Sequence, residues 1–223
     1  MTYRNALATP SDLDGWVAEG PVGVEHADGG MRLSSTADEA ALTADGRGDH
    51  AHLTFWCPEV FGPDIEVSWD FRPLAGEGLA MLFFAAAGTH GRDLFDPALP
   101  GRTGYYPQYH SGEVSTLHVS YYRRKWPSER RFHTANLRKS PGFHLVAQGA
   151  DPLPPIADVD GHYRVRVAKR GPEIAFAIDD LELFRWTDDG GTGGPPLGAG
   201  RIGFRQMAPL TAHYRNLEVT PLP

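Results

Sequence analysis

The sequence predicts an all-β fold, a two-sheet antiparallel sandwich that takes up residues 1 to 223 as a single domain. Apolar and polar residues alternate with the period of a half-buried strand through much of the chain. Clusters of Gly, Pro and Asp punctuate those segments at turn-like spacing. No stretch combines helical periodicity with capping signals, apart from one short turn expected within Asp12 to Ala18.

The elements follow in order. Leu53 to Trp56 reads as a strand, and Ile65, Val67, Trp69 and Phe71 alternate with Glu66, Ser68, Asp70 and Arg72 in the clearest strand of the chain. Glu66 and Asp70 are expected on a solvated face. After the turn-like Ala75 to Gly78 comes the apolar Leu79 to Ala85, too short to span a bilayer and suited to a buried strand. Alternation marks His118 to Arg124 and Phe143 to Gln148, then Tyr163 to Val167, Ile174 to Ile178 and Leu181 to Trp186. Asp179 and Asp180 suit a tight hairpin between the last two, because Asp tolerates turn geometry and bonds its own backbone. A Gly- and Pro-rich loop from Asp188 to Gly200 leads to Ile202 to Arg205 and a final strand, His213 to Val219. No internal repeat is visible, which excludes propellers and solenoids.

With 41% apolar and 22% charged residues the chain has the make-up of a folded globular protein. Met1 to Ser11 lacks the basic start and apolar stretch of a secretory signal, so a cytoplasmic location is expected. The single cysteine, Cys57, excludes an internal disulfide framework and a multi-cysteine zinc site. A net charge of −7 argues against nucleic-acid and anionic-membrane partners, which call for a basic surface. Nothing marks an oligomeric state.

That average hides an asymmetry. Residues 101 to 150 carry eight basic and two acidic side chains, whereas the remainder carries thirteen and twenty-six. Five of the eight tyrosines and four of the ten histidines fall in the same window.

The C-terminal run GHYRVRVAKRGPEIAFAIDDLELFRW, followed by GRIGFRQMAPLTAHYRNLEV, resembles the closing strands of concanavalin A-like jelly rolls. The middle, with its Tyr-Tyr-Arg-Arg strand, its Asn-Leu-Arg-Lys stretch and its GFHLVAQGAD segment, resembles the YesU-like family of uncharacterised bacterial proteins (domain of unknown function 1961). The resemblance covers most of the chain. It implies a concanavalin A-like jelly roll and a connection to bacterial breakdown of plant acidic polysaccharides. It supplies no catalytic residue.

The residues of the window suggest the rest. Alternation puts His118, Ser120, Tyr122 and Arg124 on one face, opposite Leu117, Val119, Tyr121 and Arg123. It likewise sets His144 and Gln148 opposite Phe143, Leu145 and Ala147. If both strands share a sheet, the polar faces form one surface for an acidic oligosaccharide. Arg124, Arg138 or Lys139 would hold the sugar carboxylate, and Ser120 and Gln148 its hydroxyls, with Tyr109 and Glu113 completing the binding set. Tyr122, His110, His118 and His144 are the candidates for a base in β-elimination, which removes the proton beside a carboxylate while cations stabilise the charge that develops. Glycoside hydrolysis needs two carboxylates across the bond, and the window offers only Glu113 and Glu129. A lectin-like binding module without turnover is the alternative, and a structural sandwich a third.

This chemistry requires no cofactor. A catalytic zinc on His110, His118 and His133 lacks supporting cysteines or short helical spacing. A structural calcium is expected more readily, as in related jelly rolls, with Asp158 and Asp160, or Asp179 and Asp180, as oxygen donors, although aspartates in such places are commonly plain turn residues.

Overall fold

The computed structural model describes residues 1–223 and contains fifteen strands: β1 (Tyr3–Asn5), β2 (Val17–Glu19), β3 (Val22–Ala27), β4 (Gly30–Ser35), β5 (Leu53–Trp56), β6 (Ile65–Pro73), β7 (Leu79–Gly88), β8 (Val114–Tyr121), β9 (Thr134–Ser140), β10 (His144–Ala150), β11 (Tyr163–Arg170), β12 (Glu173–Ile178), β13 (Leu181–Thr187), β14 (Arg201–Met207) and β15 (Ala212–Pro221). One sheet runs β13-β12-β11-β6-β15-β4-β3, with β1 added to β15. The other runs β10-β9-β8-β7-β14-β5-β2. Strand pairing is antiparallel throughout, and the C-terminal β15 lies inside the first sheet, joined to β6, β4 and the N-terminal β1.

The two sheets pack face to face over one large core. Val67, Trp69 and Phe71 of β6, Val165 and Val167 of β11 and Phe176 of β12 meet Leu82 and Phe84 of β7, Leu117 and Val119 of β8 and Phe204 of β14. Alternation is therefore obeyed on β6. On its opposite face Asp70 accepts hydrogen bonds from Arg164, Arg215 and Asn216.

Most strands anticipated from alternation are present. The N-terminal β1 to β4 and the polar β9 carry no such pattern, and the short turn lies at Pro10–Leu13, ahead of β2. The Asp179–Asp180 hairpin forms with Asp179 at φ 50°, its carboxylate accepting from the Arg164 amide. No three or more His, Cys, Asp or Glu side chains gather anywhere as a metal cage would.

Candidate functional site

Side chains of the seven-stranded sheet that point away from the core form two rungs across it. In the first, Thr54, Arg205, Met81, Ser120, Asn136 and Gln148 follow one another from β5 to β10. In the second, Trp56, Gly203, Phe83, His118 and Arg138 do so. Gly203 is required here: a Cβ on it would overlap the Trp56 indole, which lies flat across β14 with its N–H donated to Glu19.

Connecting segments fold over this outer face and enclose a cavity of about 360 Å³, at the small end of ligand pockets. Its floor is Leu79, Met81, Ser120, Asn136, Arg138 and Met207. Its walls are Asp49 from the β4–β5 connection, Tyr106, Pro107 and His110 on and beside the short helix α1 (Pro107–His110), Phe143 at the β9–β10 turn, and Arg123, Trp126 and Glu129 around the helix α2 (Pro127–Arg131).

The electrostatics are uneven. Glu129 is buried and committed, accepting from Arg123 at 2.7 Å and from the Trp126 amide at 3.1 Å. Arg138 has no carboxylate partner: its Nη1 donates to the Phe143 carbonyl at 2.8 Å and its guanidinium lies 3.9 Å from the Phe143 ring centroid. Arg205, fully buried beneath Tyr106, likewise lacks a carboxylate and stands 4.5 Å from that ring. Burial and these two cations lower the pKa of His110 and bring that of His118 well below its ordinary value. Both imidazoles are thus neutral at neutral pH.

Three of the residues singled out from sequence line the cavity together: His110, Ser120 and Arg138. His118 lies just behind, buried, with Nε2 2.9 Å from the Tyr106 hydroxyl. Gln148 is exposed at the margin, its amide 2.8 Å from that of Asn136.

The others lie elsewhere. Tyr122 sits at φ 46°, where β8 ends, and this left-handed residue breaks the alternation. Its ring turns into the core and its hydroxyl donates to the Ala75 carbonyl at 2.8 Å, while Arg123, assigned to the opposite face, enters the cavity. Arg124 is buried in an ion pair with Asp151 at 2.9 Å and also donates to the Leu153 carbonyl. Lys139, one residue past Arg138, falls on the other face and binds Asp188 at 2.7 Å with no exposed side-chain surface. A bulge between Leu145 and Ala147 puts His144 on the Lys139 side, against Gly193 of the glycine-rich loop. Tyr109 is buried, donating to Glu19 at 2.8 Å, and Glu113 is an exposed partner of Arg92.

Tyr106, Asp49, Arg123, Trp126 and Phe143 were not among the sequence candidates. Tyr106 and Phe143 lie in the anomalous window, but connecting segments have no periodicity from which to read direction. Asp49 arrives from outside the window altogether.

The chain matches a family model, "Domain of unknown function (DUF1961)", over residues 1–219. It is 51% identical over 217 residues to the uncharacterised protein YesU of Bacillus subtilis (strain 168), covering 97% of this chain and 94% of that one. A crystal structure of a protein of unknown function with a galectin-like fold, also from Bacillus subtilis, superposes with TM-score 0.92 at 50% identity over 98% of this chain and 94% of that one. More distant likenesses, of the fold alone, are the carbohydrate-binding module CBM66 from Bacillus subtilis (TM-score 0.56, 14% identity, 92% and 96% covered). A prokaryotic β-1,3-1,4-glucanase from a mouse hindgut metagenome is similar to the same degree (TM-score 0.59, 11% identity, each chain fully covered). The chain belongs to the DUF1961 family, in a galectin-like β-sandwich of the concanavalin A-like, jelly-roll kind.

Proposed function

We propose that this protein handles acidic, uronate-containing carbohydrates in the outer-face cavity, and that lyase-type elimination is the reaction the cavity supports. The observation that carries the reading is Arg138, a half-buried guanidinium at the cavity floor with no carboxylate of its own. Desolvating a cation without a counter-charge is costly, and a sugar carboxylate would supply that charge with paired hydrogen bonds. Ser120 and Asn136 beside it offer partners for hydroxyls, and Trp126, 49% exposed at the rim, offers a flat face for a sugar ring. The fold likeness to a carbohydrate-binding module and a glucanase agrees with a sugar ligand.

Two-carboxylate hydrolysis is less well supported. Of the cavity's two acids, Glu129 is held by Arg123, and Asp49 belongs to an exposed connection on the far wall. A lectin-like module without turnover is the second reading, favoured by the exposed Trp126 platform.

Calorimetric titration with trigalacturonate and with its methyl ester tests the carboxylate requirement. The acid is expected to bind at least about tenfold tighter, about 1.4 kcal/mol. Equal affinities for acid and ester would overturn the reading.

A further inference from the structure

Resting on that reading, we propose that His110 is the base and Tyr106 the acid of an elimination on the uronate that Arg138 holds. The three side chains are assembled around Phe143. The His110 and Phe143 ring centroids are 4.2 Å apart, those of Tyr106 and His110 4.7 Å at nearly a right angle, and the Arg138 guanidinium covers the same Phe143 ring. The β9–β10 turn is in turn fastened to α1, because the Gly142 amide donates to the His110 carbonyl at 2.8 Å. Base, acid and cation thus belong to one packed unit.

The hydrogen bonds set the protons. His110 Nδ1 contacts Ser111 Oγ at 2.7 Å, and no protein group bonds its Nε2. With the Nδ1 proton given to Ser111, the Nε2 lone pair is free for a substrate proton. His118 Nε2 meets the Tyr106 hydroxyl at 2.9 Å, while buried His118 Nδ1 has no partner. An orphaned buried N–H is rarer and costlier than an orphaned acceptor. The single imidazole proton is therefore best placed on Nε2, donating to the phenol oxygen and leaving the phenol's own proton for the cavity. Burial, the largest influence, pushes the Tyr106 pKa up to about 12, so the group is protonated at neutral pH and holds a proton for the departing alkoxide. The phenolate formed when it gives up that proton has its ring 4.5 Å from the Arg205 guanidinium, a buried cation whose Nε and Nη2 have no hydrogen-bond partner.

The step balances without water or an external reagent. His110 removes the proton from the carbon bearing the carboxylate, and the electron pair becomes the new carbon–carbon double bond. The glycosidic carbon–oxygen bond on the adjacent carbon breaks, and the departing oxygen takes the Tyr106 proton. His110 then returns its proton to the Tyr106 phenolate beside it. Arg138 neutralises the carboxylate, which makes the neighbouring carbon more acidic.

The test uses di- and trisaccharides of galacturonate, glucuronate, guluronate and mannuronate, following absorbance of the unsaturated uronate and exchange of the substrate proton with solvent deuterium. Wild-type protein is expected to form the unsaturated product. His110→Gln should lose both product and exchange, and Tyr106→Phe should lose product but keep exchange, each with kcat lowered by about 10²- to 10⁴-fold and with binding little changed; thermal unfolding should be little changed in His110→Gln and lowered in Tyr106→Phe, where buried His118 loses its hydrogen-bond partner. Binding without unsaturated product in the wild type would overturn this inference and leave the binding reading standing. No binding to any of these sugars would remove both. Product formation unaffected by either substitution would overturn the assignment of the two residues.

Discussion

Arg138 and Phe143 are joined twice, by a hydrogen bond of 2.8 Å from the guanidinium to the carbonyl and by the stacking of that guanidinium 3.9 Å from the ring centroid. Phe143 holds this position at φ 56°, a left-handed conformation that costs a side-chain-bearing residue about 1 kcal/mol or more. Phe143→Gly therefore has opposing consequences. Relief of the backbone offsets part of the loss of the half-buried ring and of its aromatic contacts, each worth about 0.5 to 1.5 kcal/mol beyond burial, so the melting temperature should fall modestly. Uronate binding should weaken by about tenfold or more, because Arg138 and His110 lose the ring that orients them. Paired calorimetric titration and thermal melts check this, and a large loss of stability with unchanged binding would contradict it.

Tyr122→Phe should behave in the opposite way. Its hydroxyl donates to the Ala75 carbonyl from within the core, away from the cavity. Removing it should cost about 0.5 to 1.5 kcal/mol of stability and leave carbohydrate affinity and any turnover unchanged. Urea unfolding beside a binding isotherm separates the outcomes.

The contrast between Tyr122 and Phe143 also explains how far the sequence could be read. Strand β5 and the strands from β6 onward other than β9 were legible, β6 most clearly because Ile65, Val67, Trp69 and Phe71 bury one face and leave the other wet. Ser120 and Arg138 were legible as residues of the outer face because they sit on regular strands whose alternation holds. Tyr122, Arg124 and His144 were misplaced because a single left-handed residue ends β8 and a bulge in β10 puts His144 and Gln148 on opposite faces, and alternation does not carry across such irregularities. Strand β9 was hidden because its buried positions include Asn136, Lys139 and Ser140, whose burial depends on partners remote in sequence.

Lys139 is the clearest of those hidden dependencies. Its Nζ lies 2.7 Å from the Asp188 carboxylate, both side chains being almost wholly shielded, and it also donates to the Gly194 carbonyl. The pair ties the glycine-rich loop of residues 188–200 to β9 of the seven-stranded sheet. Lys139→Ala leaves Asp188 as an uncompensated buried charge, so unfolding free energy should drop by about 3 to 5 kcal/mol. The double variant Lys139→Met with Asp188→Leu should recover much of that loss. Recovery in a double-mutant cycle would show that the penalty arises from the stranded charge, and a small loss in Lys139→Ala alone would contradict the burial.

His52 should make the protein acid-sensitive before its carboxylates titrate. It is fully buried, its Nδ1 accepts from the Ala208 amide at 3.2 Å, and burial, with Arg205 and His50 adding, lowers its pKa to about 3. The 3.4 Å contact of its Nε2 with Asp49 is consequently not an ion pair at neutral pH. In the unfolded chain the imidazole titrates near its ordinary value of about 6.5. Above that pH neither state binds the proton and the stabilising difference is complete. As pH falls from about 6.5 toward 3, the unfolded state takes up a proton that the folded state refuses, and stability drops by up to about 1.4 kcal/mol per pH unit for this one group. His118, lowered well below its ordinary value, and His162, lowered to about 4, add slopes of the same sign. His52→Gln keeps an acceptor for the Ala208 amide and removes the titration, so urea unfolding measured between pH 7 and 5 should show a shallower decline than in the wild type. Equal slopes in the two proteins would mean that His52 takes up its proton in the folded state after all.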